Sequence, residues 1–331
     1  MEKRATYILV GYLSACEYWN TVGPAFLRTW QQRRVATRKA RASLAAREKP
    51  QLSEGGRRPG GCRLPLCVLV GGESARTSTA SIVSRSWKGP VPEGSFVEAG
   101  DGFLVSTPEF VFLQRANDLD LVGLILFGFE LCGRYSIDAG SGRASQLGRP
   151  LTTVEKLTAF LERAQGAHGR KKALRALRYL INGSASPRET ALVMLLTLSR
   201  SLGGFALKKP RLNYSINRDN RSQAMSKRSR RDCDLYWPEE KLAIEYDSDK
   251  HHTGSENISS DTKRRNDLVF RGVTIIGVTK LQMNDAEELR KVARQIARRM
   301  GKKLRPQTPA QLQAYHALRA RLDIAKAHYW D

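Results

Sequence analysis

The residues whose types and spacing suit them best to chemistry lie between Arg231 and Thr279. Cys233 to Trp237 and Lys241 to Asp247 each read as a strand, and Pro238-Glu239-Glu240 joins them into a hairpin. Side chains alternate along a strand, so Asp232, Asp234 and Tyr236 share one face of the first. On the second, Glu245 and Asp247 share a face, opposite Ile244 and Tyr246. Such a hairpin can bring Asp234, Glu245 and Asp247 to one spot. Three carboxylates gathered together repel one another unless a cation holds them, and hard oxygen ligands favour Mg²⁺ or Mn²⁺. In a basic protein that arrangement fits phosphodiester cleavage, where the ion polarises the phosphate, activates a water and stabilises the leaving oxygen. His251 and His252 follow directly, two of only five histidines in the chain. Either suits a general acid or base, since imidazole titrates nearest neutrality. The bland alternative is a solvated sheet face followed by a polar loop, DSDKHH. Against it, Lys241-Leu-Ala-Ile244 reads as a core strand whose apolar run stops abruptly at Glu245. Asp249 and Glu256 read as solvated.

Elements on both sides must position these acids. Downstream, Ser259 or Ser260 caps an expected helix from Asp261 to Arg271, closed by Gly272. Val273 to Val278 then reads as a strand apolar on both faces, as in a sheet covered on both sides. Strand, helix and strand imply a crossover that sets this strand parallel to the one bearing Glu245. Lys263, Arg264 and Arg265 on the connecting helix face either the site, a nucleic-acid backbone, or solvent. Upstream, Lys208 to Arg231 holds nine Lys or Arg against one acid, Asp219, with Tyr214 its only aromatic. Phosphate contact, centred on Lys227, Arg228, Arg230 and Arg231, accounts for so one-sided a charge better than a solvated loop does.

The whole chain carries the same bias. Its 331 residues include 56 Lys and Arg against 32 Asp and Glu, a net charge of +24. That surplus points to a polyanionic partner, nucleic acid or an anionic surface. With 41% apolar and 27% charged residues the composition is globular. Five cysteines at irregular spacings form neither a disulfide framework nor a zinc site, and fit reduced thiols in the cytoplasm. No stretch reaches the roughly 20 apolar residues of a membrane span; in the longest run, Leu119 to Cys132, Asp120 and Glu130 interrupt near the ends. Lys3 and Arg4 ahead of Tyr7 to Leu13, then Leu13-Ser14-Ala15-Cys16, follow the outline of a lipoprotein signal. An apolar core of about seven residues, containing Gly11 and two tyrosines, speaks against one.

Four regions follow. Residues 1–50 read as a helical segment, strongly basic after Trp30, its charges either solvated or set against phosphates. Residues 63–185 read as an α+β accessory domain: short strands near 64–70, 82–87 and 102–105, then helices from Ser106-Thr107-Pro108-Glu109 to about 202, one boxed by Thr152 and Glu155. Residues 186–300 carry the acids and open with a helix capped at Ser186. In this region Asn284 caps an expected helix to Met300, and residues 301–331 form a last helix.

The segment resembles the PD-(D/E)XK nuclease superfamily and, more closely, the uncharacterised relatives of very-short-patch-repair endonucleases. The matching residues are Asp234-Leu-Tyr-Trp-Pro, Ile244-Glu245-Tyr246-Asp247, His251-His252, and Asp261-x-x-Arg264-x-x-x-Leu268-x-x-x-Gly272 before the apolar strand. The resemblance spans roughly residues 186–300. It implies an α/β, restriction-endonuclease-like mixed sheet flanked by helices, and a Mg²⁺- or Mn²⁺-dependent nuclease acting on DNA, with RNA a weaker candidate. It makes Asp234 the metal-binding acid, Glu245 and Asp247 the second-strand acids, and His252 or His251 the histidine near the scissile phosphate. The superfamily's usual lysine, two residues after the strand acid, is Asp247 here; the repair-endonuclease branch also lacks it and uses histidine. The N-terminal half is vaguely similar to regulator-type antitoxins of abortive-infection systems, at Ser14 to Trp19 and Ser106 to Leu113. The competing expectation is therefore a non-catalytic DNA-binding regulator on a nuclease fold.

Overall fold

The computed structural model describes residues 7–52, 57–138, 140–215, 232–247, 266 and 268–322, with Asp232 and Asp247 given by backbone alone. The chain divides into two compact units, Met1–Leu180 and Ile181–Ala327. Both are α/β, and each is built on a mixed sheet.

In the first unit, β1 (Ile8–Val10), β2 (Leu66–Val70), β3 (Ile82–Ser86), β4 (Phe96–Gly100) and β5 (Phe103–Ser106) lie in the order β3-β2-β1-β5-β4. β1 runs antiparallel to β2 and parallel to β5. Residues 1–50, expected to be helical, thus contribute the central strand. Three residues are too few for alternation to show, and Gly11 turns the strand straight into α1 (Tyr12–Val22). A Cβ at Gly11 would sit 2.1 Å from Leu69 Cδ1 and 2.9 Å from Gln114 Oε1, the oxygen that accepts the Tyr12 N–H at 2.8 Å. Leu13 to Cys16, the stretch with the lipoprotein outline, lies inside α1. There Cys16 is buried, and Ser14 Oγ accepts the Cys67 N–H at 2.9 Å.

The basic helix is α2 (Trp30–Ala46), boxed at its start by Thr29 and Gln32. Four of its cations have partners inside the unit; Arg33 is largely covered, whereas Arg34, Arg38 and Arg41 stay exposed, as the solvated reading expects. Arg33 meets Glu109 at 2.5 Å, Arg34 meets Glu93 at 2.8 Å, Lys39 meets Glu98 at 2.9 Å, and Arg41 donates to the Val91 carbonyl. The Arg33–Glu109 pair is buried, with side chains 15% and 5% exposed, and Thr152 Oγ1 also donates to Glu109 at 2.7 Å.

Four helices complete the unit: α3 (Pro108–Arg115), α4 (Leu121–Leu131), α5 (Val154–Arg163) and α6 (Arg170–Leu177). Asp120 does not interrupt the apolar run it precedes; it caps α4 by accepting the Gly123 N–H at 2.8 Å. Leu124, Ile125, Phe127 and Phe129 of α4 are buried, each contributing about 1.5–3 kcal/mol by leaving water. A hairpin of β6 (Tyr135–Ile137) and β7 (Ala144–Gln146) breaks the expected unbroken run of helices. Thr153, not Thr152, caps α5, because Thr152 is committed to Glu109. Trp19, 1% exposed, donates its indole N–H to the Ser106 carbonyl at 2.8 Å, and Phe110 meets Trp87 and Phe96 edge to face. Among the described residues no helix is long and apolar enough to cross a membrane.

The second unit opens with α7 (Pro187–Thr197), where Ser186 accepts the Glu189 N–H at 3.1 Å, as its sequence predicts. Its sheet contains β8 (Arg211–Ser215), β9 (Asp232–Trp237), β10 (Leu242–Asp247) and β11 (Thr274–Thr279), ordered β11-β10-β9-β8. β8, β9 and β10 are successively antiparallel, whereas β10 and β11 are parallel. Parallel neighbours need a crossover, and residues 248–273 supply it. In the described sheet β11 is an edge strand; Ile275 on one face packs against buried residues, Val278 on the other is fully buried, and Ile276 is partly so. Three helices follow: α8 (Lys280–Asn284), α9 (Ala286–Arg299) and α10 (Pro309–Leu322). Asp285 rather than Asn284 caps α9, because its carboxylate reaches the Glu287 and Glu288 N–H groups at 2.8 and 2.9 Å.

A left-handed residue within β8 shapes this sheet. Asn213 has φ 44°, which interrupts the alternation of β8. Its amide donates to Gly183 O at 3.0 Å and to Glu189 Oε2 at 2.7 Å. Asn213→Ala should cost about 1–3 kcal/mol, through left-handed strain plus an under-satisfied buried Glu189. Asn213→Gly relieves the strain but not the lost bonds, so urea titration of the full chain should place it between wild type and Asn213→Ala.

Candidate functional site

The hairpin forms as its residues predict. Leu242 pairs with Trp237, Ala243 with Tyr236 and Ile244 with Leu235, and the turn closes through Lys241, whose N–H donates to Pro238 O. Carried one step further, this register sets Glu245 opposite Asp234. The ladder stops short of that pair. In its place, Asp234 Oδ2 accepts the Tyr246 N–H at 2.7 Å, so the two strands part at the acids and a side chain bridges the gap. Asp234 and Glu245 are both half-buried.

The cause of this placement lies further along the same strands. Cys233, Tyr236, Ala243, Leu268 and Val273 pack as one buried cluster, with Tyr214 and Ile275 against it. That cluster anchors the hairpin and leaves the acids at its border. On the other side of β10, Glu245 is in register with Gly277, which adds no side chain beside it, and Asp247 is in register with Thr279.

Of the residues singled out from sequence, the structure sets Asp234 and Glu245 at adjoining positions of β9 and β10, and β10 extends to Asp247. His251, His252, Lys227, Arg228, Arg230, Arg231, Lys263, Arg264 and Arg265 lie outside the described residues. Among the described residues, no three His, Cys, Asp or Glu side chains gather closely enough to hold a metal ion. Two carboxylates nonetheless match the donor set that Mg²⁺ commonly takes from a protein when a phosphate completes its shell.

Three features escaped sequence reasoning. The Tyr246 N–H as a tether for Asp234 has no sequence signal. Gly277 does have one, as the single break in Ile275-Ile276-Gly277-Val278. The third is an aromatic stack: Tyr214 lies parallel to Tyr236 at 5.5 Å, with the Arg211 guanidinium 4.9 Å above the Tyr214 ring. Burial pushes the Tyr236 hydroxyl up from its ordinary range, helped by Cys233 and Tyr214, so it stays a protonated donor. The lone aromatic in the basic stretch was the signal for this stack.

No protein family, curated protein or solved structure matches the chain.

Proposed function

We propose that Ile181–Ala327 is a divalent-metal-dependent endonuclease unit acting on DNA, with a restriction-endonuclease-like sheet akin to that of the relatives of very-short-patch-repair endonucleases. Repair, restriction or phage defence is its setting. The observation that supports this reading most is the carboxylate of Asp234, which takes the Tyr246 N–H where β9 and β10 part, one position from Glu245.

In this reading Asp234, Glu245 and Asp247 hold Mg²⁺ or Mn²⁺. A bound divalent ion supplies polarisation of the phosphate, a more acidic water and charge compensation at the leaving oxygen. The chain's own groups do the rest. The Tyr246 N–H fixes the orientation of Asp234, and the buried cluster beneath keeps the hairpin from shifting. His252 or His251 exchanges the proton of the attacking water or the leaving oxygen. Lys227, Arg228, Arg230, Arg231, Lys263, Arg264 and Arg265 neutralise backbone phosphates, which makes binding fall steeply with salt.

Supercoiled plasmid incubated with Mg²⁺, Mn²⁺ or EDTA tests the proposal. Nicking in either metal and none in EDTA is the expected result. Tight DNA binding without cleavage of plasmid, mismatched duplex, single strand or RNA would instead assign a DNA-binding regulator.

A further inference from the structure

The outer strands of the two larger sheets are not equally guarded. β3 carries Arg85, β4 carries Glu98, and β8 carries Arg211 together with the left-handed Asn213. β11, Thr274-Ile-Ile-Gly-Val-Thr279, has no charge and no proline, and its register with β10 runs unbroken through all six residues. Charges, prolines and bulges are the usual defences of a sheet edge against pairing with another chain. In a sequence where 27% of residues are charged, Gly272 to Thr279 contains none.

Exposed apolar side chains flank the same strand at both ends. Phe270 and Val269 precede it, 92% and 57% exposed, and Leu281 follows it, 80% exposed. Its outer backbone is open as well. The Thr274 N–H donates to Lys241 O at 2.8 Å, so alternation turns Thr274, Ile276 and Val278 toward β10. The N–H and C=O groups of Ile275 and Gly277 are left on the outer side, where no strand pairs among the described residues. Beyond them the Val273 N–H is taken by Leu268 O and the Thr279 N–H by Gln282 Oε1. The open edge is therefore short, and its centre is Ile276.

We infer that β11 pairs antiparallel with β11 of a second copy of this chain, about a two-fold axis at Ile276. The strand is complementary to itself in that register. The axis sets Ile275 of each copy opposite Gly277 of the other, and these are the two residues with open outward groups, so each pair can exchange both its N–H···O bonds. The branched side chain meets the position that has none, and the rows do not crowd. Ile276 faces its own counterpart, and no charge on the strand repels its copy. The same axis runs the Phe270 end of one copy toward the Leu281 end of the other, which gives the exposed apolar groups at both ends a partner. The inference rests on the sheet alone and stands whether or not the unit cleaves DNA.

Sedimentation of the full chain, freed of nucleic acid, tests it. A monomer–dimer equilibrium with Kd below about 100 µM is expected. Raising salt from about 0.1 M to about 0.5 M should preserve or tighten the dimer, because salt screens the repulsion between two basic copies. Phe270→Glu with Leu281→Glu, both at exposed positions, should weaken it at least about tenfold. Ile276→Cys locates the axis. Oxidised glutathione should join two copies through position 276, while wild type, with Cys16, Cys62, Cys132 and Cys233 buried, stays unlinked. A monomer up to about 200 µM, a dimer that salt dissolves, or unchanged affinity in the double variant overturns the inference. So does a dimeric Ile276→Cys protein that does not cross-link.

Discussion

Asp234→Asn is expected to lower metal-dependent DNA cleavage by about 10²–10³-fold while leaving the second unit folded. Asparagine keeps an oxygen where Asp234 Oδ2 accepts the Tyr246 N–H, so the bridge across the parted strands survives. What it loses is the charge, and with it the attraction for a cation. Asp234→Ala removes both, and the Tyr246 N–H loses that acceptor at a cost of about 1–3 kcal/mol. The pair of variants thereby separates chemistry from structure: equal activity loss in both, with a stability loss confined to Asp234→Ala. Glu245→Gln should match Asp234→Asn in cleavage. Affinity for DNA should be unchanged or higher in all three, since each substitution removes a negative charge facing phosphate. Steady-state nicking rates, urea midpoints and filter binding measured side by side check every part of this. Wild-type cleavage rates in Asp234→Asn would remove Asp234 from the site.

The second large effect lies in the first unit and concerns stability. Glu130 ends α4 fully buried, with Oε1 accepting the Ile137 N–H at 2.8 Å, while Asn20 donates to the Ile137 carbonyl at 2.9 Å. Burial pushes its carboxyl up to about 8, against the opposing pull of the Ile137 and Asn20 hydrogen bonds. The folded value thus lies above the unfolded one, near 4.5. The unfolded chain releases this proton first, so the contribution of Glu130 to stability is complete below pH ~4.5 and is lost as pH rises through about 8. Each pH step in that window removes about 1.4 kcal/mol, and the whole window about 4–5 kcal/mol. Glu130→Gln keeps an acceptor for Ile137 and cannot ionise. Urea unfolding between pH 5 and 8.5 should show wild type losing stability relative to Glu130→Gln as pH rises. Parallel curves for the two proteins would show that Glu130 ionises normally.

The parts of this structure visible in the sequence are those governed by local periodicity. The β9–β10 hairpin and its turn follow from two apolar-rich runs around Pro238-Glu239-Glu240, and the Ser186 cap follows from one hydroxyl before a proline. Contacts between distant residues left no such trace. Arg33 reads as one cation among many, because its partner Glu109 lies 76 residues away. Asp120 reads as a break in an apolar run because a cap and an interruption look identical until the helix start is known. β1 is hidden for a related reason: three apolar residues before a glycine suit a helix start equally well, and only pairing with β2 and β5 makes them a strand.

The central claim is that the acids of β9 and β10 hold a divalent cation, and crystallography with Mn²⁺ tests it most directly. The account predicts an anomalous peak at about 2.0–2.3 Å from carboxylate oxygens of both Asp234 and Glu245, absent from the Asp234→Asn crystal. Millimolar Mn²⁺ leaving no peak at those carboxylates, or an unchanged peak in Asp234→Asn, would contradict it.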